Sequence, residues 1–194
     1  MTLDELKGTL PDYAKDLKLN LSNVLSSPNL TAPQLWGTAL ASAIASRNDV
    51  LMQTIAGEAV KALEPAAFNA AKAAAAIMGM NNIYYRFVHL SGHADFKTLP
   101  ARLRMNVIGN PGVDKLDFEL WSLAVSAVNG CGMCIEAHER EVLGKGASKE
   151  AVQDVVRIAA VLHAVAVTLE AELGLPLLFK GNAFSQTDLA SVLT

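Results

Sequence analysis

The chain's two cysteines, Cys131 and Cys134, stand three residues apart in the stretch NGCGMCIEAHER, and His138 follows the second by four residues. A C-x-x-C pair can be half of a zinc site, a small structural disulfide, or a dithiol that cycles between reduced and oxidised forms. Asn129 and Gly130 stop a helix that starts near Lys115, and a new helix begins around Cys131, so the thiols fall in its first turn. Free amide N–H groups and the positive dipole end favour a thiolate there. Separations of three and four residues set Cys131, Cys134 and His138 along one helical face. A thiol at that distance can attack its neighbour once the neighbour is oxidised, which suits two-electron cycling and a reversible Cys131–Cys134 disulfide. His138 lies one turn beyond Cys134 and can take its proton. Glu119, on the preceding helix, can orient that imidazole or relay its proton.

The rival uses of these residues are poorly supplied. Structural zinc takes four ligands, whereas C-x-x-C with His138 gives at most three and no second cysteine pair exists, so no metal is expected. There is no glycine-rich dinucleotide fingerprint and no P-loop, so no bound cofactor is expected and the electrons must arrive from another protein or thiol. His163 sits in an apolar run and reads as a packed or interface histidine. His89 and His93 read as surface residues, and Met78 and Met80 as core.

The positioning scaffold follows from composition. At 194 residues and 52% hydrophobic, the chain can bury a sizeable core without a disulfide or metal to hold it. Its net charge of −3 comes from interspersed residues with no basic run, which excludes nucleic acid as an expected partner. The amino terminus places Leu3, Leu6, Leu10 and Tyr13 at helical spacing among charges, unlike a signal peptide, and a cytoplasmic location is expected. The most apolar run, from Ile158 to Leu169, is shorter than the ~20 residues of a spanning helix and reads as a buried helix, so no membrane association is expected. In a reducing compartment a lone cysteine pair is more often catalytic, redox-sensing or metal-binding than structurally bridged.

Alanine, leucine, methionine, glutamate and lysine dominate, alternating strand patterns are scarce, and the fold class is all-α. QLWGTALASAI (residues 34–44) matches ELWSLAVSAVN (residues 119–129) without a gap at an offset of 85, anchored by Trp36 and Trp121. The same offset sets Asn69 over Asp154 and Lys72 over Arg157. This is read as an internal duplication within one helical domain, residues 1–194, with repeats at about 34–80 and 119–165. Each repeat reads as a helix, a break and a longer helix, and residues 91–112 read as the connector between them. Prolines 11, 28, 33, 65, 100, 111 and 176 fall near element boundaries. In the first repeat Gln34, Ser46, Asp49 and Gln53 align with Glu119, Cys131, Cys134 and His138, so only the second should carry a site.

LPDYAKDLKLNL, MGMNN, RMNVIGNPG, FELWSLAVSAVNGC and the C-x-x-C-x-x-x-H spread from Leu10 past His138, and together they resemble the alkyl hydroperoxide reductase D family of the carboxymuconolactone-decarboxylase-like superfold. The resemblance implies an all-helical antioxidant homotrimer that reduces organic hydroperoxides or peroxynitrite and regenerates a partner peroxiredoxin, alkyl hydroperoxide reductase C. It implies dihydrolipoamide as the external reductant, recharged by a lipoylated acyltransferase and lipoamide dehydrogenase. By position it implies that Cys134 is the peroxidatic cysteine, Cys131 the resolving thiol and proton donor, and Glu119 and His138 the proton relay. Gly132 and Met133 depart from members that carry a histidine directly before the second cysteine. The alternative from another class is a redox-switched binding or adaptor protein without peroxidase turnover. A cysteine-independent decarboxylase on the same scaffold is a third.

Overall fold

In the computed structural model, which describes residues 1–172, the regular structure is helical, with no strand among the described residues. The helices are α1 (Leu3–Thr9), α2 (Lys15–Val24), α3 (Ala32–Ser46), α4 (Asp49–Ala62), α5 (Pro65–Leu90), α6 (Asn106–Gly109), α7 (Lys115–Val128), α8 (Gly132–Gly144) and α9 (Lys149–Glu172). Their starts follow capping chemistry. Thr2 and Thr31 form capping boxes with Glu5 and Gln34, Asn48 caps α4, Asp114 caps α7, and Ser148 Oγ accepts from the Ala151 N–H at 3.0 Å at the head of α9. Pro33 and Pro65 occupy the first turns of α3 and α5, where a missing N–H leaves no bond unmade.

The centre of the bundle is the pair α3 and α7, which cross each other and both pack on α5 and α9. Trp121 and Phe118 of α7 are fully buried there. Gly37 makes the crossing possible, because a Cβ at that position would overlap the Trp121 indole. One apolar cluster runs through the bundle, drawing on residues from Leu6 to Leu169. α4 and α8 pack against α3 and α7 respectively and add Leu51, Ile55 and Val142 to that cluster, and α2 covers α9.

Several details differ from the pattern read in the sequence. Each half contains three helices rather than two, α3–α4–α5 and α7–α8–α9. The longer helix is interrupted at Leu63–Glu64 before Pro65, and at Gly146, whose φ of 91° ends the second one. α7, α8 and α9 begin 83, 83 and 84 residues after α3, α4 and α5 begin. The two tryptophans that anchor the sequence match sit differently, Trp121 buried and Trp36 half-buried. Pro11 ends the first helical pattern early, so Leu6 and Leu10 are buried while Tyr13 is 71% exposed. The connector between the halves holds a 3-10 turn, Ala94–Lys97, and the short α6. The apolar run belongs to the 24-residue α9, long and apolar enough by length and composition to cross a membrane, but half of its 18-residue apolar window is buried in the bundle. His163 on that helix is exposed rather than packed, since it lies on the stripe turned away from α3 and α7, with Ala160 and Val167. Pro176 lies outside the described residues.

Candidate active site

The site begins where α7 stops. Asn129 and Gly130 turn the chain, Gly130 at a φ of 65° that a side chain would resist. The Cys131 N–H then donates to the Ser126 carbonyl at 3.1 Å, and Cys131 becomes the N-cap of α8 in extended backbone. Its sulfur accepts from the Cys134 N–H at 3.3 Å, taking the place that a serine or asparagine oxygen usually fills. The two cysteines are joined in a disulfide with a Cα–Cα distance of 5.3 Å. Cys131 is fully buried, and the remaining exposure, 6%, belongs to Cys134.

α5 braces this turn from one side. Asn82 Nδ2 donates to Ser126 Oγ at 2.9 Å, Asn129 Nδ2 donates to Asn82 Oδ1 at 2.9 Å, and the Arg86 guanidinium donates to the Asn129 carbonyl at 2.9 Å. Buried amides must find partners or carry a desolvation penalty, so this chain of bonds holds the end of α7 and with it the backbone of Cys131.

One turn beyond Cys134 on α8, His138 meets Glu119 of α7. Nδ1 lies 2.6 Å from Glu119 Oε2, and both side chains are buried. The other carboxylate oxygen lies 3.4 Å from Lys115 Nζ, which also donates to the Ile108 carbonyl. Burial works to raise the Glu119 pKa, but the hydrogen bond and charge of His138 and the charge of Lys115 together hold it below its ordinary 4.5. An ionised carboxylate is acceptor only, so Nδ1 carries the proton it shares with Glu119 and Nε2 is the nitrogen left to exchange one. Nε2 faces Met78 Sδ at 3.2 Å.

All four residues singled out in the sequence therefore lie on two consecutive helices, α7 and α8, and their shared turn. The structure pairs the cysteines with one another and the imidazole with the carboxylate. Sequence reasoning missed Lys115, Met78, Asn82 and Ser126. Lys115 was readable, four residues before Glu119 on one helix face. Asn82 carried a weaker signal, since an asparagine pair inside an alanine-rich helix demands buried partners. Met78 gave none, because its contact with His138 spans 60 residues of sequence.

Three relatives share most of this chain. An alkyl hydroperoxide reductase AhpD of Rhodospirillum centenum is 66% identical over 175 residues, 90% of this chain and 94% of its own. Proteins of the same name from Streptomyces coelicolor and Gluconacetobacter diazotrophicus are 57% and 62% identical, over 89% and 88% of this chain and 97% and 93% of theirs. The chain belongs to the alkyl hydroperoxide reductase AhpD family. The profile of the carboxymuconolactone decarboxylase family also matches, over residues 94–173. In this AhpD-family chain that match covers Glu119, Cys131, Cys134 and His138, while α3, α4 and α5 lie outside it.

Proposed function

We propose that this AhpD-family chain is an antioxidant dithiol peroxidase that reduces organic hydroperoxides, and peroxynitrite, through a Cys131/Cys134 cycle. The observation that carries the reading is the cysteine pair at the head of α8 with a buried carboxylate–imidazole pair one turn on. The reduced Cys134 thiolate, favoured by the helix N-terminus, attacks the terminal peroxide oxygen. The O–O bond breaks, the alkoxide leaves as an alcohol with a proton, and Cys134 becomes a sulfenic acid. Cys131 then attacks the Cys134 sulfur, the S–O bond breaks, water leaves, and the disulfide closes. An external dithiol of the dihydrolipoamide class reopens it by thiol–disulfide exchange and is oxidised to its own disulfide.

Glu119 holds the Nδ1 proton of His138, so that Nε2 takes and returns the protons these steps move. Position 133 is methionine, so the relay rests on His138 alone. The same exchange chemistry lets the reduced dithiol regenerate a peroxiredoxin of the alkyl hydroperoxide reductase C type, with a lipoylated acyltransferase and lipoamide dehydrogenase upstream. We further propose that the two helical triplets arose by duplication with only the second keeping chemistry, and that the protein is a homotrimer, for which light scattering should give three times the 20.5 kDa chain mass.

Purified protein supplied with dihydrolipoamide and cumene hydroperoxide should consume peroxide well above the uncatalysed rate. Consumption at the uncatalysed rate would remove the peroxidase reading and leave the redox-switched adaptor.

A further inference from the structure

Beside the disulfide turn, between the end of α3, the middle of α5, the end of α7 and α9, lies a cleft of about 410 Å³ that the proton relay does not use. Arg47, Arg86 and His163 line it together with the amides of Asn82 and Asn129, and Ile83 and Val128 give it an apolar wall. No carboxylate lies among its described lining residues, although acids outnumber bases 19 to 16 in the chain. Among the described residues neither arginine is ion-paired. A pocket of this size with convergent polar groups over apolar walls is built for a small amphiphile. Its guanidinium groups are suited to a planar carboxylate.

The backbone supplies a second observation. Arg47 closes α3 in the left-handed region at a φ of 62°, where glycine is the ordinary residue, and the matching turn after α7 does use one, Gly130 at 65°. A local rule broken by a charged side chain on a cleft wall is a mark of a site. The cleft is also coupled to the dithiol. Asn82 and Arg86, which line it, are the residues that hold Asn129 and Ser126, and the Ser126 carbonyl binds the Cys131 N–H.

We propose that this cleft seats the carboxylate of an amphipathic organic hydroperoxide, with Arg47 and Arg86 on the acid and the carbon chain along Ile83 and Val128. The inference deepens the peroxidase reading by naming an acidic substrate class, and it rests on that reading for turnover but not for binding.

Binding is tested by titration calorimetry on the oxidised protein with decanoate and with decanol. Decanoate should bind about tenfold or more tightly than the alcohol, the scale of a charge-assisted hydrogen bond. Arg47→Gly should lose that difference while its melting temperature holds or rises, because glycine relieves the left-handed backbone. Equal binding of acid and alcohol, or an Arg47→Gly protein that keeps the preference, overturns the proposal. Turnover is tested with a carboxylated hydroperoxide and its methyl ester. The wild-type acid-to-ester ratio of kcat/KM should be about ten or more and fall towards one in Arg47→Gly. Selective decanoate binding without any turnover would sink the peroxidase reading and leave the carboxylate site standing. Turnover with an acid-to-ester ratio near one would do the reverse.

Discussion

The turn from α3 to α4 and the turn from α7 to α8 are built alike. Each helix ends, the chain passes through one left-handed residue, and a side chain then caps the next helix. After α3 these residues are Arg47 and Asn48, whose Oδ1 accepts from the Leu51 N–H at 2.8 Å. After α7 they are Gly130 and Cys131, whose sulfur accepts from the Cys134 N–H at 3.3 Å. An amide oxygen in that place can only accept a hydrogen bond, whereas a sulfur can also become a nucleophile and bond to its neighbour. The helices leading in also differ, at residues that the sequence match pairs although they stand third in α3 and fifth in α7. Gln34 of α3 completes a capping box with Thr31, while Glu119 of α7 is buried against His138. One turn can thus spend the same cap position on stability or on a nucleophile, and the difference rests on a few side-chain atoms.

The largest effects should come from replacing the sulfur cap or its partner. Cys131→Ser and Cys134→Ser should both abolish turnover, and after one equivalent of peroxide a sulfenic acid should be trapped at position 134 in Cys131→Ser and nowhere in Cys134→Ser. A sulfenic acid trapped at Cys131 instead would invert the assignment. Glu119→Gln and His138→Gln should slow the peroxide step by roughly 10²-fold, the usual scale of a lost acid–base group. Gln34→Ala, at the residue of α3 that the sequence match at an offset of 85 sets against Glu119, should not alter the rate. Stopped-flow peroxide decay separates the two, and a slow Gln34→Ala would break the contrast.

Stability effects come next. Gly37→Ala forces a methyl into the Trp121 indole and should destabilise by about 1–3 kcal/mol in urea unfolding. Gly57→Ala on α4, where an added Cβ meets nothing within 4 Å, should instead stabilise by about 1 kcal/mol. If both moved in one direction, the α3–α7 crossing would not be what Gly37 protects. Removing the oxygen cap with Asn48→Ala should cost about 1 kcal/mol without abolishing turnover. Loss of turnover in folded Asn48→Ala would mean that the two turns are not functionally separate.

The smallest expected effect is a change in slope. The Glu119 carboxyl titrates below its ordinary 4.5 in the folded protein, so the unfolded chain binds the proton more readily. Its stabilising contribution is present above the ordinary value and is lost as pH falls through the folded one. Urea unfolding from neutral pH down through the carboxylate range should therefore show stability falling more steeply in wild type than in Glu119→Gln. Asp154, also held low, and Asp117, raised by burial, are common to both proteins and drop out of the comparison. Equal acid slopes would show that the Glu119–His138 pair contributes nothing to folding.

The sequence by itself determined what is local. Helical character, the stop at Asn129–Gly130, the restart at Cys131 and the reach of one cysteine to the other follow from propensity, capping and spacings of three and four residues, all interactions within a turn or two of chain. Glu119 and His138 were legible as candidates because they sit on the two helices that share that turn.

Only the tertiary structure decided how those helices meet. The 2.6 Å contact of Glu119 with His138, the sulfur of Met78 at Nε2, the asparagine brace from α5 and the nearly complete burial of the cysteines depend on how helices cross. So does the turning of His163 outward onto the cleft. Helical periodicity says which stripe of a helix is apolar, but not where along its length a neighbour crosses. That position is set by steric fit between distant residues, as where Gly37 admits the Trp121 ring.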